Sequence, residues 1–380
     1  MQLVNPVKTS SSMKTMFSSF TINKYLFVNI SRGLALSTVV FVSLILLLGF
    51  IAKIYIIGKG DFTISSAIIF TLLTIPNEIY HVFPVSSVVG VLLGLGLLAE
   101  YSELVVLQAI GFSRLRIAVI TCFTLLVWLI PMTLLGEFVV PPMTSFAESY
   151  KETKLQKDSG YGLESGIWIR DENRVINIGN TLSDESYKNS DTSKQPIKIF
   201  QFNEQFDLNK LIIANNVSIN KNHWQLSEVK EINIDDSGVK FNVMDKIEWQ
   251  SQIQSDLFKI TYTNPKILSI RDILKYQSFH GSNKPLPMEF QIALWSKVFY
   301  FLLVLATALT GLPFVFGLMR SGSFGKRLLI GVLLGIVLNL LHRSLLNIGQ
   351  VFQFSPYLVT VIPSLLILFL VFYFLSKAEL

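Results

Sequence analysis

Hydrophobic positions in this chain fall in long blocks. A bilayer crossing needs about 20 apolar residues at 1.5 Å per residue. Six blocks reach that length: about 34–57, 64–98, 117–140, 291–318, 327–350 and 356–376. Between the third and the fourth the rhythm changes. Short β-branched or alternating runs (GIWIRDENRVINIG, LIIANNVSI, GVKFNVMDKIEW) are broken by the turn signals DENR and DDSG. Roughly eight to ten strands fit there, which suits a sandwich or jelly roll. The opening of that stretch, TSFAESYKETKLQ, is more helical and reads as a stalk continuing the third span. The pattern predicts an α-helical membrane protein with six transmembrane helices and an inserted β domain. Its divisions are a tail at 1–24, spans one to three within 25–140, the β domain at 141–288 and spans four to six within 289–380.

The second block is too long for a simple crossing and contains Pro76 and Pro84. Each proline removes a backbone donor, so kinks are expected there. Glycine pairs four apart, Gly90/Gly94 in span two and Gly331/Gly335 in span five, predict faces on which helices approach closely. The pair in span five is also a candidate gate against a partner subunit.

Composition agrees with the pattern: 51% of residues are hydrophobic and only 15% charged. Charge is segregated too. Between Pro141 and Pro287 stand 18 Lys/Arg against 19 Asp/Glu, so the net +6 arises in the apolar remainder. There the basic residues flank the spans, which points to membrane topology and away from nucleic acid. Lys8, Lys14, Lys24, Arg32, Arg114, Arg116, Arg320, Lys326, Arg327 and Lys377 fall on one side, predicting cytoplasmic termini. The β insert then lies on the periplasmic side, with Lys53 and Lys59. The single cysteine, Cys122, excludes an intramolecular disulfide. The first 24 residues are polar and Ser/Thr-rich, and the run after them is too long for a cleaved signal peptide.

Catalytic chemistry finds no foothold. In RSGSFGKRL the first glycine of a phosphate-binding loop is replaced by Arg320 and its Ser/Thr by Arg327. If ATP drives this protein, another chain hydrolyses it. The histidines at 81, 223, 280 and 342 show no metal-ligand spacing, and no GxSxG occurs. No cofactor is expected. Polar residues within spans are costly and are candidates for function. Glu78 and His81 share a helical face and could pair, or could lie near a kink facing water or a neighbouring helix. Lys297 in LWSKVF could snorkel or meet a lipid phosphate, and Lys53 and Lys59 raise the same question. His342 and Arg343 are placed facing a polar cavity or a partner, and Glu137 at the interface.

The break between spans two and three, LLAEYSELVVLQAIGFSRLRI, is decorated like a helix built to be touched. Ser102 is read as its N-cap, with Glu103 in the first turn where the helix dipole favours a carboxylate. LVVLQAI then supplies two turns with a broad apolar face, and Gly111 closes them as a C-cap. A helix this short is not self-stabilising and needs a groove to lie in. Glu100 and Glu103 would oppose an anionic lipid surface.

This segment, with TIPNEIYHVFP, GEFVVPP, ESGIWIRDENRVINIG and WSKVF in the same order along the chain, resembles the LptF/LptG family of lipopolysaccharide export permeases. The likeness runs from about Tyr25 to the end, and SELVVLQAIGFS is nearer the LptG form than the LptF form. Resemblance implies six transmembrane helices, a periplasmic β-jelly roll, and a heterodimer of an LptG-type with an LptF-type permease. It also implies an LptB-type ATPase dimer, an LptC-type acceptor and lipopolysaccharide as cargo, taken from the outer leaflet of the inner membrane. The family's coupling helix maps to about 99–112. Its ATPase-coupling residues would be Glu103, Ser102, Leu104, Leu107, Gly111 and Phe112. The family's basic outer mouth maps to Lys53 and Lys59, with Lys297 added as a substrate-binding candidate. Family members begin near Met16 of this numbering, so Met1 to Thr15 is expected to be an extension or a misassigned start. Two other readings are the LptF seat in the same complex and a stand-alone secondary transporter. The latter predicts inverted repeats that the chain does not display.

Overall fold

A computed structural model describes residues 9–155, 167–171, 174–178, 197–203, 207–220, 223–235, 238–250, 264–279, 286–316 and 324–377. The chain divides into two compact units, residues 1–154 with 264–380, and residues 155–263. The second is narrower than 141–288. Residues at its near side continue the third span as helix, and those at its far side form a helix of the first unit.

Helices of the first unit are α1 (Thr9–Ile51), α2 (Ile64–Leu73), α3 (Ile75–Glu100), α4 (Glu103–Ala109), α5 (Arg114–Leu134) and α6 (Val140–Leu155). A π-turn, Leu135–Val139, joins α5 to α6, so the third span and its stalk form one rod. After the insert come α7 (Ile270–Phe279), α8 (Met288–Val298), α9 (Tyr300–Leu309), α10 (Gly311–Phe316), α11 (Phe324–Val351) and α12 (Pro356–Lys377). Five helices are long and apolar enough to cross a membrane among the described residues. Residues Met288–Val298 with Tyr300–Phe316, bent by 57°, make a sixth crossing if taken as one. Helix α1 reaches back to Thr9, into the expected tail.

The long second block is two helices, α2 and α3, meeting at Thr74. Pro76 sits in the first turn of α3, where a missing N–H costs nothing. Pro84 acts differently, because α3 runs on through it. Without an N–H at position 84, the Tyr80 carbonyl loses its helical donor. The Tyr300 hydroxyl donates to that carbonyl at 2.8 Å, so it is not orphaned in the apolar interior.

Helix α3 is the axis of the bundle and is buried around most of its length. Its small residues allow that. Gly33 of α1 fits against Gly90 and Gly94, and a Cβ on Gly90 or Gly94 would lie 2.7 Å from the Leu34 or Ile30 Cα. Ser37 donates to the Ser86 carbonyl at 2.8 Å beside this crossing, and Thr38 meets the Ser86 hydroxyl at 3.1 Å. Close backbone approach plus interhelical hydrogen bonds is how helices associate in lipid, where hydrophobicity gives no drive. On the other side of α3, a Cβ on Gly331 would fall inside Leu92, and one on Gly335 would touch Val85. The glycine face of span five is therefore filled within the chain by α3, not left open as a gate for a partner.

In the second unit six described strands form one antiparallel sheet in sequence order: β1 (Ile167–Asp171), β2 (Arg174–Ile178), β3 (Ile197–Phe202), β4 (Leu208–Asn220), β5 (His223–Asp235) and β6 (Gly238–Gln250). Ile176, Ile197, Ile199, Ile212, Ala214, Trp224, Leu226 and Val229 are buried. A Lys210–Glu231 ion pair of 2.6 Å bridges β4 and β5, and the lysine's hydrogen bond holds the Glu231 carboxyl below its ordinary range. The further strands expected from the sequence fall outside the described residues.

Candidate functional site

The segment between α3 and α5 folds as a short helix with an inner and an outer side. Ser102 occupies the N-cap position in a left-handed conformation, φ 59°, and its side chain makes no capping bond. Its carbonyl instead accepts from Val105 and Val106 N–H at 3.1 and 3.2 Å. The expected place is right; the expected side-chain cap is absent. Closure at the other end is a Schellman motif. Phe112 N–H donates to the Leu107 carbonyl and Gly111 N–H to the Gln108 carbonyl, both at 3.0 Å, with Gly111 at φ 97°. Nothing crowds Gly111, so its backbone angle, not space, calls for glycine. Ser113 then caps α5 by accepting from Arg116 N–H at 3.2 Å.

Leu104, Leu107 and Phe112 all point inward. They are buried in one cluster with Leu26, Leu98, Ile117 and Leu312. Three of the residues expected to touch an ATPase are thus the anchors that fasten α4 to the bundle. The surface left outside consists of Tyr101, Val105, Val106 and Ile110, between 50% and 74% exposed. Gln108 is the one polar position of LVVLQAI, too little for its periodicity to choose between the two faces. Glu103 is half-buried and accepts a 2.7 Å hydrogen bond from the Tyr25 hydroxyl of α1. Tyr25 was not legible as a site residue, since nothing in sequence separates it from any aromatic opening an apolar run. Arg116 lies over the Phe112 ring at 4.2 Å, and Glu100 is exposed.

Away from α4, past the far end of α1, is a basic cluster. Lys53 stands 4.6 Å over the Phe70 ring, and its ammonium reaches the Thr71 hydroxyl at 3.4 Å. Lys151 of α6 lies 5.8 Å from the same ring. One aromatic ring therefore has two cations within reach of its π-system. Lys59 is exposed beside Tyr55, at 5.5 Å. Asp61 N–H donates to the Lys154 carbonyl at 2.8 Å, which ties the turn before α2 to the stalk. Lys151 was missed because the stalk was counted with the β insert. Its signal is the helical spacing of Tyr150, Lys151 and Lys154 in TSFAESYKETKLQ.

Lys297 does not join this cluster. Its side chain, 9% exposed, pairs with Glu137 at 3.6 Å and donates to the Gly136 carbonyl at 3.1 Å. Glu137 in turn accepts from the N–H groups of Ile270 and Arg271 at 3.0 and 3.4 Å, so it caps α7. Ser269 accepts from Asp272 N–H at 3.0 Å in the same turn. Gly136 leaves room for the Tyr80 ring, which stacks on Tyr300 at 4.2 Å. Lysine 297 is a tie within the protein rather than a rim cation, and Glu137 is a junction rather than an interfacial side chain. His81 lies edge-on to Tyr80 at 5.5 Å. His342 is buried and its Nδ1 has no hydrogen-bond partner among the described residues, while Arg343 beside it is exposed.

Residues 24–377 match the family described as lipopolysaccharide export system permease LptF/LptG. Among curated proteins, the chain is 28% identical over 360 residues to lipopolysaccharide export system permease protein LptG of Haemophilus influenzae, covering 94% of this chain and 98% of that one. It is 27% identical over 346 residues to the protein of the same name from Escherichia coli K12, covering 90% and 94%.

Proposed function

The chain belongs to the LptF/LptG family of lipopolysaccharide export system permeases, and from that premise we propose that it is the LptG-type permease subunit of an ABC transporter. In this reading it sits in the inner membrane with both termini and α4 in the cytoplasm and the β unit in the periplasm. It pairs with an LptF-type sister permease, and an LptB-type ATPase dimer drives it. The pair extracts lipopolysaccharide from the outer leaflet and passes it to an LptC-type acceptor.

The observation that carries the proposal is the two-sided packing of α4. Leu104, Leu107 and Phe112 seat the helix on α1, α3 and α5, while Tyr101, Val105, Val106 and Ile110 stay uncovered. A helix so anchored, with an apolar outer face and an acid at its start, suits a groove on a partner. The chain has no phosphate-binding loop of its own, so that partner supplies the hydrolysis. Displacement of α4 then passes to the spans through packed side chains. The cations Lys53 and Lys151 against the Phe70 ring, with Lys59 near Tyr55, offer positive charge that suits a lipid carrying phosphates.

The test is reconstitution of the chain with its sister permease and the ATPase in proteoliposomes holding lipopolysaccharide. Glu103→Lys should weaken ATPase association and uncouple extraction from hydrolysis, and Lys53→Glu with Lys151→Glu should lower lipopolysaccharide-stimulated hydrolysis. Normal association and normal extraction with Glu103→Lys would sink the assignment of α4.

A further inference from the structure

Glu103 is the acid at the start of α4, and one group in the described chain is hydrogen-bonded to it: the Tyr25 hydroxyl, at 2.7 Å across 78 residues of sequence. A phenol donating to a carboxylate at this length is a charge-assisted bond, about twice as strong as a neutral one. It engages Oε2 of the carboxylate. Tyr25 itself is held: the Asn29 side-chain amide donates to its carbonyl at 2.9 Å. One residue on, Leu26 is fully buried in the cluster that also seats Leu104 and Leu107.

What Tyr25 belongs to gives the contact its meaning. It lies on α1, which continues without a break to Ile51 and delivers Lys53 just beyond its end. From Tyr25 to Ile51 this rod is about 40 Å long at 1.5 Å per residue. On the way it is locked to α3 by the Gly33, Gly90 and Gly94 contact and by the Ser37 and Thr38 bonds to Ser86. Glu103 and Lys53 are therefore joined by one hydrogen bond and one helix.

Building on the reading of α4 as the ATPase-docking element, we infer that Tyr25 is a positioning residue for energy coupling. Its hydroxyl fixes the Glu103 carboxylate toward the partner. It also ties α4 to α1, so that a displacement of α4 reaches the basic cluster at the opposite end.

The experiment uses the complete transporter, chain with sister permease and ATPase, in proteoliposomes, and reads lipopolysaccharide extracted per ATP hydrolysed. Tyr25 is 44% exposed, so Tyr25→Phe removes one oxygen without opening a cavity. That variant should lower the ratio at least threefold while the ATPase still co-purifies. Background then separates positioning from a general structural role. Tyr25→Phe should lower the ratio further in Glu103→Gln, which keeps an acceptor oxygen, and have no added effect in Glu103→Ala, which keeps none. An unchanged ratio in Tyr25→Phe, or an equal loss in all three backgrounds, overturns the inference. If Glu103→Lys leaves association and extraction normal, the docking reading falls first. If Glu103→Lys uncouples and Tyr25→Phe does not, only the role of Tyr25 falls.

Discussion

Two junctions in this molecule solve opposite problems, and both are built around a glutamate. At the α4 end, Glu103 accepts a hydrogen bond from Tyr25, and the helix it begins exposes Val105, Val106 and Ile110. At the π-turn, Glu137 pairs with Lys297 and accepts from two amides of α7, while the neighbouring Gly136 carbonyl takes the lysine's hydrogen bond. Polar groups of the second junction are saturated from within, which fits a joint that holds the stalk, α7 and α8 together. The first is held by apolar anchors and keeps an unfilled apolar face. Under the proposed function, unused capacity and not the presence of an acid is what marks α4 for docking.

The comparison can be broken, most forcefully at the π-turn. Lys297→Met strands a partly buried carboxylate and should destabilise the protein by about 3 kcal/mol, read as a lower thermal midpoint in detergent. A midpoint unchanged from wild type would show that the junction is not held by its charges. Gly136→Ala is next. The added methyl meets the Tyr80 ring, and forcing the stacked tyrosines apart should cost about 1–3 kcal/mol. Restoration by the second substitution Tyr80→Leu would locate the cost at that contact. Smallest in stability is Val106→Asp on the outer face of α4, expected within about 0.5 kcal/mol of wild type. Yet it should abolish co-purification of the ATPase. Loss of folding rather than of binding would mean that the face is covered by the protein itself.

A wide share of the architecture was readable in advance. Six apolar blocks, the β-patterned insert, the helical stalk and the short element between spans two and three all follow from run length and periodicity. The site was readable only in outline. Glu103 and Gly111 could be singled out because an acid at a helix start and a glycine at its end have local causes. Nothing local marks Leu104, Leu107 and Phe112 as the buried side of α4, or Tyr25 and Lys151 as members of a site.

Local chemistry dictates where the chain is apolar long enough to cross a membrane, where it alternates, and where a proline or glycine interrupts it. Packing settles which face is inside, which lysine is tied within the protein and which glycine meets which helix. The reason lies in the solvent. A bilayer interior is as apolar as a protein core, so a span such as α11 carries no amphipathic stripe to announce its partners. Lys53 and Lys297 both stand at the ends of apolar runs and read alike. The carboxylate of Glu137, far from Lys297 in sequence, makes one of them a buried tie, and the Phe70 ring keeps the other beside Lys151.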